Sequence, residues 1–204
     1  MAKTPYYYQK IVDRIEPNAR VLDLGCGDGT LLDMLIAQKH IHGYGIEIDF
    51  ENILACIKRG INVFQGNIDE GLREYSDKSY DYVIISQTLQ EIHKPLFVLN
   101  EILRVGQKGI ITFPNFAHWK IRAQLITGKA PHTSLLHHEW FDTPNIRVVT
   151  IQDFRELCAS QGIEILEEIM MDPIPLFPES VMRKFSNLLS EKGMFIIRKN
   201  KFLG

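Results

Sequence analysis

Arg20-Val21-Leu22-Asp23-Leu24-Gly25-Cys26-Gly27-Asp28-Gly29-Thr30 is the stretch that decides the fold. Its apolar first half suits a buried parallel strand, and Leu31, Leu32, Leu35 and Ile36 recur at helical spacing on the far side. Between them the glycines remove alternate Cβ atoms, so the backbone can turn sharply and come close to a ligand at the helix N-terminus. Strand, tight turn and helix in that order make the first βα unit of a doubly wound sheet, with a cofactor loop at the turn.

Charge selects the cofactor. The dinucleotide fingerprint G-x-G-x-x-G offers backbone N–H groups to a diphosphate. Here the third glycine, Gly29, comes one residue early, Thr30 takes the expected place, and the carboxylates of Asp23 and Asp28 flank the turn. Acids at these positions repel a diphosphate and attract a ligand with ammonium and sulfonium charges. S-adenosylmethionine, or its product S-adenosylhomocysteine, fits better than NAD.

The chain has 204 residues, 45% hydrophobic and 24% charged, an ordinary globular composition from which a single domain over 1–204 is expected. A net charge of −2 gives no general attraction to nucleic acid or to an anionic membrane. Cys26, Cys56 and Cys158 form no C-x-x-C pair, which argues for reduced thiols and a cytoplasmic setting. No apolar leader opens the sequence, and no later apolar run is long enough to span a bilayer.

Outward from the turn, Tyr8, Ile11, Val12 and Ile15 share one face of a leading helix over residues 5 to 15, expected to pack on the sheet edge. A second strand, Gly43 to Ile48, carries Glu47 near its end, roughly 20 residues past the turn, where an acid accepts both hydroxyls of a ribose. Asp49 caps the next helix and Gly60 closes it. The third strand, Asn62 to Gly66, leads to Asn67, Ile68 and Asp69, and a helix is expected at Leu72. Tyr80 to Ile85 is the fourth strand, from which Ser86 and Gln87 emerge beside the turn. Pro95 opens a helix that Gly106 ends, and Lys108 to Phe113 is the fifth strand. This alternation predicts right-handed crossovers and a parallel core, with the cofactor at its carboxyl edge.

Residues 114 to 149 interrupt the alternation as an insertion rich in aromatic residues and histidine: Phe116, Trp119, Trp140 and Phe141 stand among His118, His132, His137 and His138. A helix is expected near Ala117 to Thr127, then an irregular excursion of the length used for lids and interfaces. The histidines lack the carboxylate or thiol spacing of a metal site, and the aromatic residues read as core. Thr150 with Asp153 forms a capping pair for a helix ending at Gly162. Ile163 to Met171 is a sixth strand, Pro173, Pro175 and Pro178 a stiff link, Val181 to Leu189 a short helix, and Gly193 to Arg198 a last strand, hairpin-paired with the sixth.

Val21 to Thr30 resembles motif I of class I S-adenosylmethionine-dependent methyltransferases. Together with Gly43-Tyr44-Gly45-Ile46-Glu47-Ile48-Asp49, Ser86-Gln87-Thr88-Leu89-Gln90, Phe113-Pro114-Asn115-Phe116-Ala117-His118-Trp119 and Trp140-Phe141-Asp142-Thr143-Pro144-Asn145-Ile146, the chain is similar to the methionine biosynthesis protein MetW family over most of residues 11 to 172. The resemblance implies an α/β, Rossmann-like doubly wound sheet of seven strands, mostly parallel with the last antiparallel. Combined with the reading above, it implies cofactor contacts from Asp23, Gly25, Cys26, Gly27, Gly29, Glu47, Ile48, Asn67, Ile68, Ser86 and Gln87. Asn67 departs from the pattern, since many relatives have an acid directly after the third-strand glycine; an amide still bonds an adenine amino group. Asp69 is the alternative acid.

The resemblance further implies a role in methionine synthesis, as partner of a homoserine O-acyltransferase of the MetX type. Two functions stay open. An accessory subunit that binds S-adenosylmethionine and sets acyltransferase activity through the aromatic insertion needs no base. A small-molecule methyltransferase needs one, with His93 or His118 as candidates. An NAD-dependent reductase is the third reading, and a second copy of the chain is a further candidate partner. No residue is singled out as catalytic, and no metal is expected.

Overall fold

The computed structural model describes residues 5–133, 136, 138–171 and 179–200. Strands β1 (Arg20–Leu24), β2 (His42–Glu47), β3 (Val63–Gln65), β4 (Tyr80–Ser86), β5 (Gly106–Pro114), β6 (Ile163–Met170) and β7 (Lys192–Lys199) form one sheet in the order β3-β2-β1-β4-β5-β7-β6. β1 lies parallel between β2 and β4, with Asp23 opposite Gly45 and Ile84. β6 and β7 are antiparallel, with a register shift between Ile165 and Glu167. The order reverses at β1 and β4, the switch point where open α/β sheets bind ligands.

The described residues group into two units, one from Met1–Thr88 with Lys94–Ile110, the other from Leu89–His93 with Ile111–Gly204. In the first, Val21, Leu22 and Leu24 are buried against Leu31, Leu32 and Leu35 of α2 (Thr30–Lys39). Apolar side chains enclosed in this way each stabilise by about 1.5–3 kcal/mol. α3 (Phe50–Lys58) starts where the Asp49 carboxylate accepts from the Asn52 N–H at 2.9 Å, and Gly60 follows it with φ +76°. The leading helix, α1 (Tyr6–Val12), is shorter than expected and packs on α2. Ile11, Val12 and Ile15 are buried, and the Gln9 amide donates to the Gln38 side chain at 3.2 Å.

The helix expected at Leu72 does not form. Between β3 and β4 the chain makes one 3₁₀ turn, Ile68–Glu70, and then runs irregularly. The cause lies on α4 (Pro95–Val105). The Leu72 N–H donates to Glu101 at 2.8 Å, and the Arg104 guanidinium donates to the carbonyls of Leu72 and Tyr75, each at 2.8 Å. Backbone groups that a helix would pair internally are thus held by α4. Hydrogen bonds from Arg104 also keep the Glu101 carboxyl below the usual carboxylate range.

The second unit centres on Phe113, Phe154 and Phe195, whose rings lie 4.7–5.8 Å apart and are buried. It contains α5 (Trp119–Ile126), α6 (Ile151–Ser160), α7 (Glu179–Lys184) and α8 (Ser186–Leu189), so the single helix expected over Val181 to Leu189 is two. The Thr150 hydroxyl accepts from the Asp153 N–H at 3.0 Å, as the capping pair requires. The proline link at 173, 175 and 178 lies outside the described residues, as does His137. The insertion's aromatics are not core: Trp140 and Phe141 are 75% and 71% exposed and pack edge to face on each other, and Trp119 is 45% exposed.

Candidate functional site

The turn after β1 is left-handed at each glycine, with φ +70° at Gly25, +56° at Gly27 and +76° at Gly29. A Cβ on Gly29 would meet Cys56 Sγ at 2.9 Å, so that glycine is needed for close packing. A Cβ on Gly27 would meet nothing within 4 Å. Gly27 therefore faces open space, and its N–H donates to Glu47 Oε2 at 2.8 Å.

Glu47, at the end of β2, is only 7% exposed; its Oε1 accepts from the N–H groups of Ile48 and Asp49 at 2.8 and 2.9 Å. Backbone donors thus fix the carboxylate beside the turn and leave it acceptor sites for further hydroxyls. Asp23, at 2% exposure, is buried more deeply, and its Oδ1 has no hydrogen-bond partner among the described residues. Burial first, and then the charge of Glu47, push its carboxyl up to about 7. A buried carboxylate in this state gains strongly from a cation.

Asp23 and Asp28, both expected to face the ligand, differ in their surroundings. Asp28 accepts from Thr30 N–H and Oγ1 at 3.1 and 2.9 Å and from Arg59 at 2.8 Å. These bonds hold its carboxyl below the ordinary value in spite of desolvation. Asp28 braces the turn, while Asp23 and Glu47 supply its negative charge.

The other expected residues divide by what their side chains do. Cys26 contributes backbone only, because its thiol turns inward to lie 3.9 Å from Cys56 Sγ. Ile48 is 63% exposed at the end of β2, an apolar surface without cover from its own unit. The Asn67 carbonyl oxygen accepts from the Asp69 N–H at 3.0 Å, so Asn67 caps the turn that contains Ile68; Asp69 accepts from the Lys94 N–H at 2.7 Å. Ser86 ends β4, and Gln87 holds a left-handed φ of +58°, a strain that non-glycine residues adopt mainly at functional or tightly built sites.

Tyr7 and Tyr8, read from sequence only as part of a packing helix, belong to this site. The Tyr7 phenol shares hydrogen bonds with Tyr8 and Ser86, and both phenols are pushed up, first by burial and further by the charge of Asp23. The signal was the run Tyr6-Tyr7-Tyr8, unusually aromatic for one helical turn.

The proposed bases lie in the second unit. The His93 carbonyl accepts from Arg147 at 2.7 Å, and His118 is 3% exposed. Asn115, in the same motif, is fully buried. It donates to the carbonyls of Asn187 and Ser190 at 2.9 and 2.8 Å, and its Oδ1 accepts from Ala117 and Ile151 N–H at 3.1 and 3.4 Å. Among the described residues no group of three or more His, Cys, Asp or Glu side chains could hold a metal ion, and no helix is long and apolar enough to cross a membrane.

A cleft of about 990 Å³ opens over β2, β3 and β4 where the crossover helix was expected, with Asn67 and Ile68 in its lining. Tyr44 stacks on Phe64 at 6.0 Å and meets Tyr80 edge-on at 6.4 Å, with Tyr75 and Phe97 beside them.

Sheet order, the glycine turn after β1 and the acid ending β2 define a class I methyltransferase fold. A methyltransferase from Mesorhizobium loti described as S-adenosylmethionine dependent shares it at a TM-score of 0.69 and 12% identity, over 96% of this chain and 99% of that one. So does a chain in a complex of the Haloferax volcanii Trm112 methyltransferase activator with a methyltransferase, at 0.67 and 17% identity, over 96% and 90%. Within that fold, the chain belongs to the family of the methionine biosynthesis protein MetW, which matches residues 6–197. The bifunctional methionine biosynthesis protein MetXA/MetW of Rhodopirellula baltica is 37% identical over 174 residues, 80% of this chain and 28% of that protein. The ubiquinone biosynthesis O-methyltransferase of Hahella chejuensis is 29% identical over 102 residues, 48% of this chain and 42% of that protein. The chain thus spans less than half the length of either curated relative.

Proposed function

We propose that this chain is an S-adenosylmethionine-binding accessory subunit of methionine synthesis that sets the activity of a homoserine O-acyltransferase of the MetX type. The observation that carries the ligand is the buried Asp23 Oδ1, without a hydrogen-bond partner among the described residues, on the strand that leads into the glycine turn. In this reading the backbone of Gly25, Cys26, Gly27 and Gly29 cradles the methionyl part, and Asp23 balances its positive charge. Glu47 takes the ribose hydroxyls, Ile48 and Ile68 cover the adenine, Asn67 bonds its amino group, and Ser86 and Gln87 bound the methionyl side. S-adenosylmethionine would bring an activated methyl group.

Holding the ligand is supported over using it by the tyrosines and cysteines around Asp23, which offer no base. The phenols of Tyr7 and Tyr8 and the thiols of Cys26 and Cys56 are all pushed up, chiefly by burial, and stay protonated. The bifunctional MetXA/MetW relative supports an acyltransferase partner. The free thiols of Cys26, Cys56 and Cys158 support a reducing, cytoplasmic setting. The test is the acyltransferase rate with and without this chain. The reading expects a change of at least several-fold that depends on S-adenosylmethionine, and an unchanged rate contradicts it. Similarity to the ubiquinone biosynthesis O-methyltransferase supports a second reading, small-molecule methyl transfer. Formation of S-adenosylhomocysteine with a pathway metabolite would establish it.

A further inference from the structure

We propose that the cleft over β2, β3 and β4 seats an amphipathic helix of the acyltransferase partner, which supplies in trans the crossover helix that this chain lacks. The proposal rests on the accessory-subunit reading above and adds the surface through which it operates.

The helices after β1, β2 and β4 have 10, 9 and 11 residues, whereas the β3–β4 connection holds one 3₁₀ turn of 3. A largely parallel sheet normally has both faces covered. Here Glu101 accepts from the backbone of the connection and Arg104 donates to it, so the segment forms no helix over the sheet. The consequence is an aromatic wall, with Phe64 52% and Phe97 39% exposed, on the end strand of the sheet and the helix beside it. Apolar surface gathered in this way marks an interaction site, and a groove with aromatic walls suits the apolar stripe of a helix.

The occupant follows from a relative. In the Rhodopirellula relative the MetW part is joined to a MetXA part, so the partner is present at high effective concentration. Charge adds a requirement. Asp69, Glu70 and Glu74 line the cleft against Arg73 and Lys94, and Arg73 already helps hold the Glu101 carboxyl low. A seated helix therefore carries Arg or Lys at its edge, where a cation also gains from the tyrosine faces. The turn with Asn67 and Ile68 lines the same cleft. Ligand at those residues and helix in the cleft thus share one structural element, and by reciprocity each alters the affinity of the other.

The experiment is co-purification and calorimetry of the full chain with the acyltransferase, using wild type, Phe64→Glu, Phe97→Glu and Trp140→Ser, with melting curves and S-adenosylmethionine titrations as controls for folding. Wild type is expected to capture the acyltransferase. The two cleft variants should bind it at least tenfold more weakly while melting and binding S-adenosylmethionine as wild type does. Capture by wild type and by both cleft variants alike overturns the cleft and leaves the accessory reading standing. Loss with Trp140→Ser but not with the cleft variants moves the interface to the insertion and also overturns it. A wild-type dimer that Phe64→Glu dissociates in the absence of acyltransferase reassigns the cleft to a second copy. No capture by wild type removes the accessory reading, and the proposal with it.

Discussion

Two motifs set this sequence apart, the Asp23–Thr30 turn and the Pro114–Trp119 stretch, and they use their polar groups in opposite ways. Asn115 spends its whole amide on bonds within its own unit. Asp23 keeps an oxygen without a partner among the described residues, where that is costly, and a Cβ on Gly27 in the same turn would meet nothing within 4 Å. A motif whose polar atoms are all satisfied is scaffold, and one that retains an unmet demand is prepared for a ligand.

The contrast is broken most severely at Asn115. Replacing Asn115 with Ala strands two carbonyls and two N–H groups in the interior, which at roughly 1 kcal/mol each costs about 4 kcal/mol, read by urea unfolding. Binding of S-adenosylmethionine by the protein that stays folded is expected to be unchanged. Next comes the stability difference between wild type and Asp23→Asn as a function of pH. The folded carboxyl, at about 7, lies above its unfolded value of 3.8, so its contribution is fully present below about pH 4 and lost as pH rises through 7. Without ligand, wild type should therefore fall behind the variant by up to about 4 kcal/mol between those limits. Glu47, Tyr7 and Tyr8 surround this carboxyl, and comparison within one background cancels their common contributions.

Smaller effects sharpen the same contrast. Gly27→Ala places a Cβ where a ligand would lie, in a left-handed backbone that costs about 1 kcal/mol, and should weaken S-adenosylmethionine about tenfold in calorimetry. Arg59→Ala removes a partly exposed ion pair with Asp28 and should lower stability by about 0.5 kcal/mol, with ligand affinity unchanged.

Much of the first unit was legible because its signals are local. The glycines of the turn, the Asp49 cap, Gly60 and Pro95 act on their immediate neighbours and stand where the sequence placed them. The sheet's parallel core and its antiparallel last strand followed from alternation and from the β6–β7 hairpin. What was not legible depends on residues far apart in sequence. Leu72-Arg73-Glu74-Tyr75 has helical character, but Arg104, roughly 30 positions later, takes its carbonyls. Asp28 reads as an acid facing the ligand until Arg59, on the far end of α3, is seen to neutralise it. Tyr7 and Tyr8 join the site through Ser86, a contact that no spacing rule anticipates.

The most direct test is calorimetric titration of wild type and Asp23→Asn with S-adenosylmethionine and with NAD at pH 6 and pH 8. A buried carboxyl at about 7 must give up its proton to meet a cation. Wild type should thus bind S-adenosylmethionine more tightly at pH 8, release a proton on binding at pH 6, and ignore NAD, while Asp23→Asn should lose about 100-fold in affinity and all of the pH dependence. Equal affinity for the variant, or preference for NAD, would contradict the account.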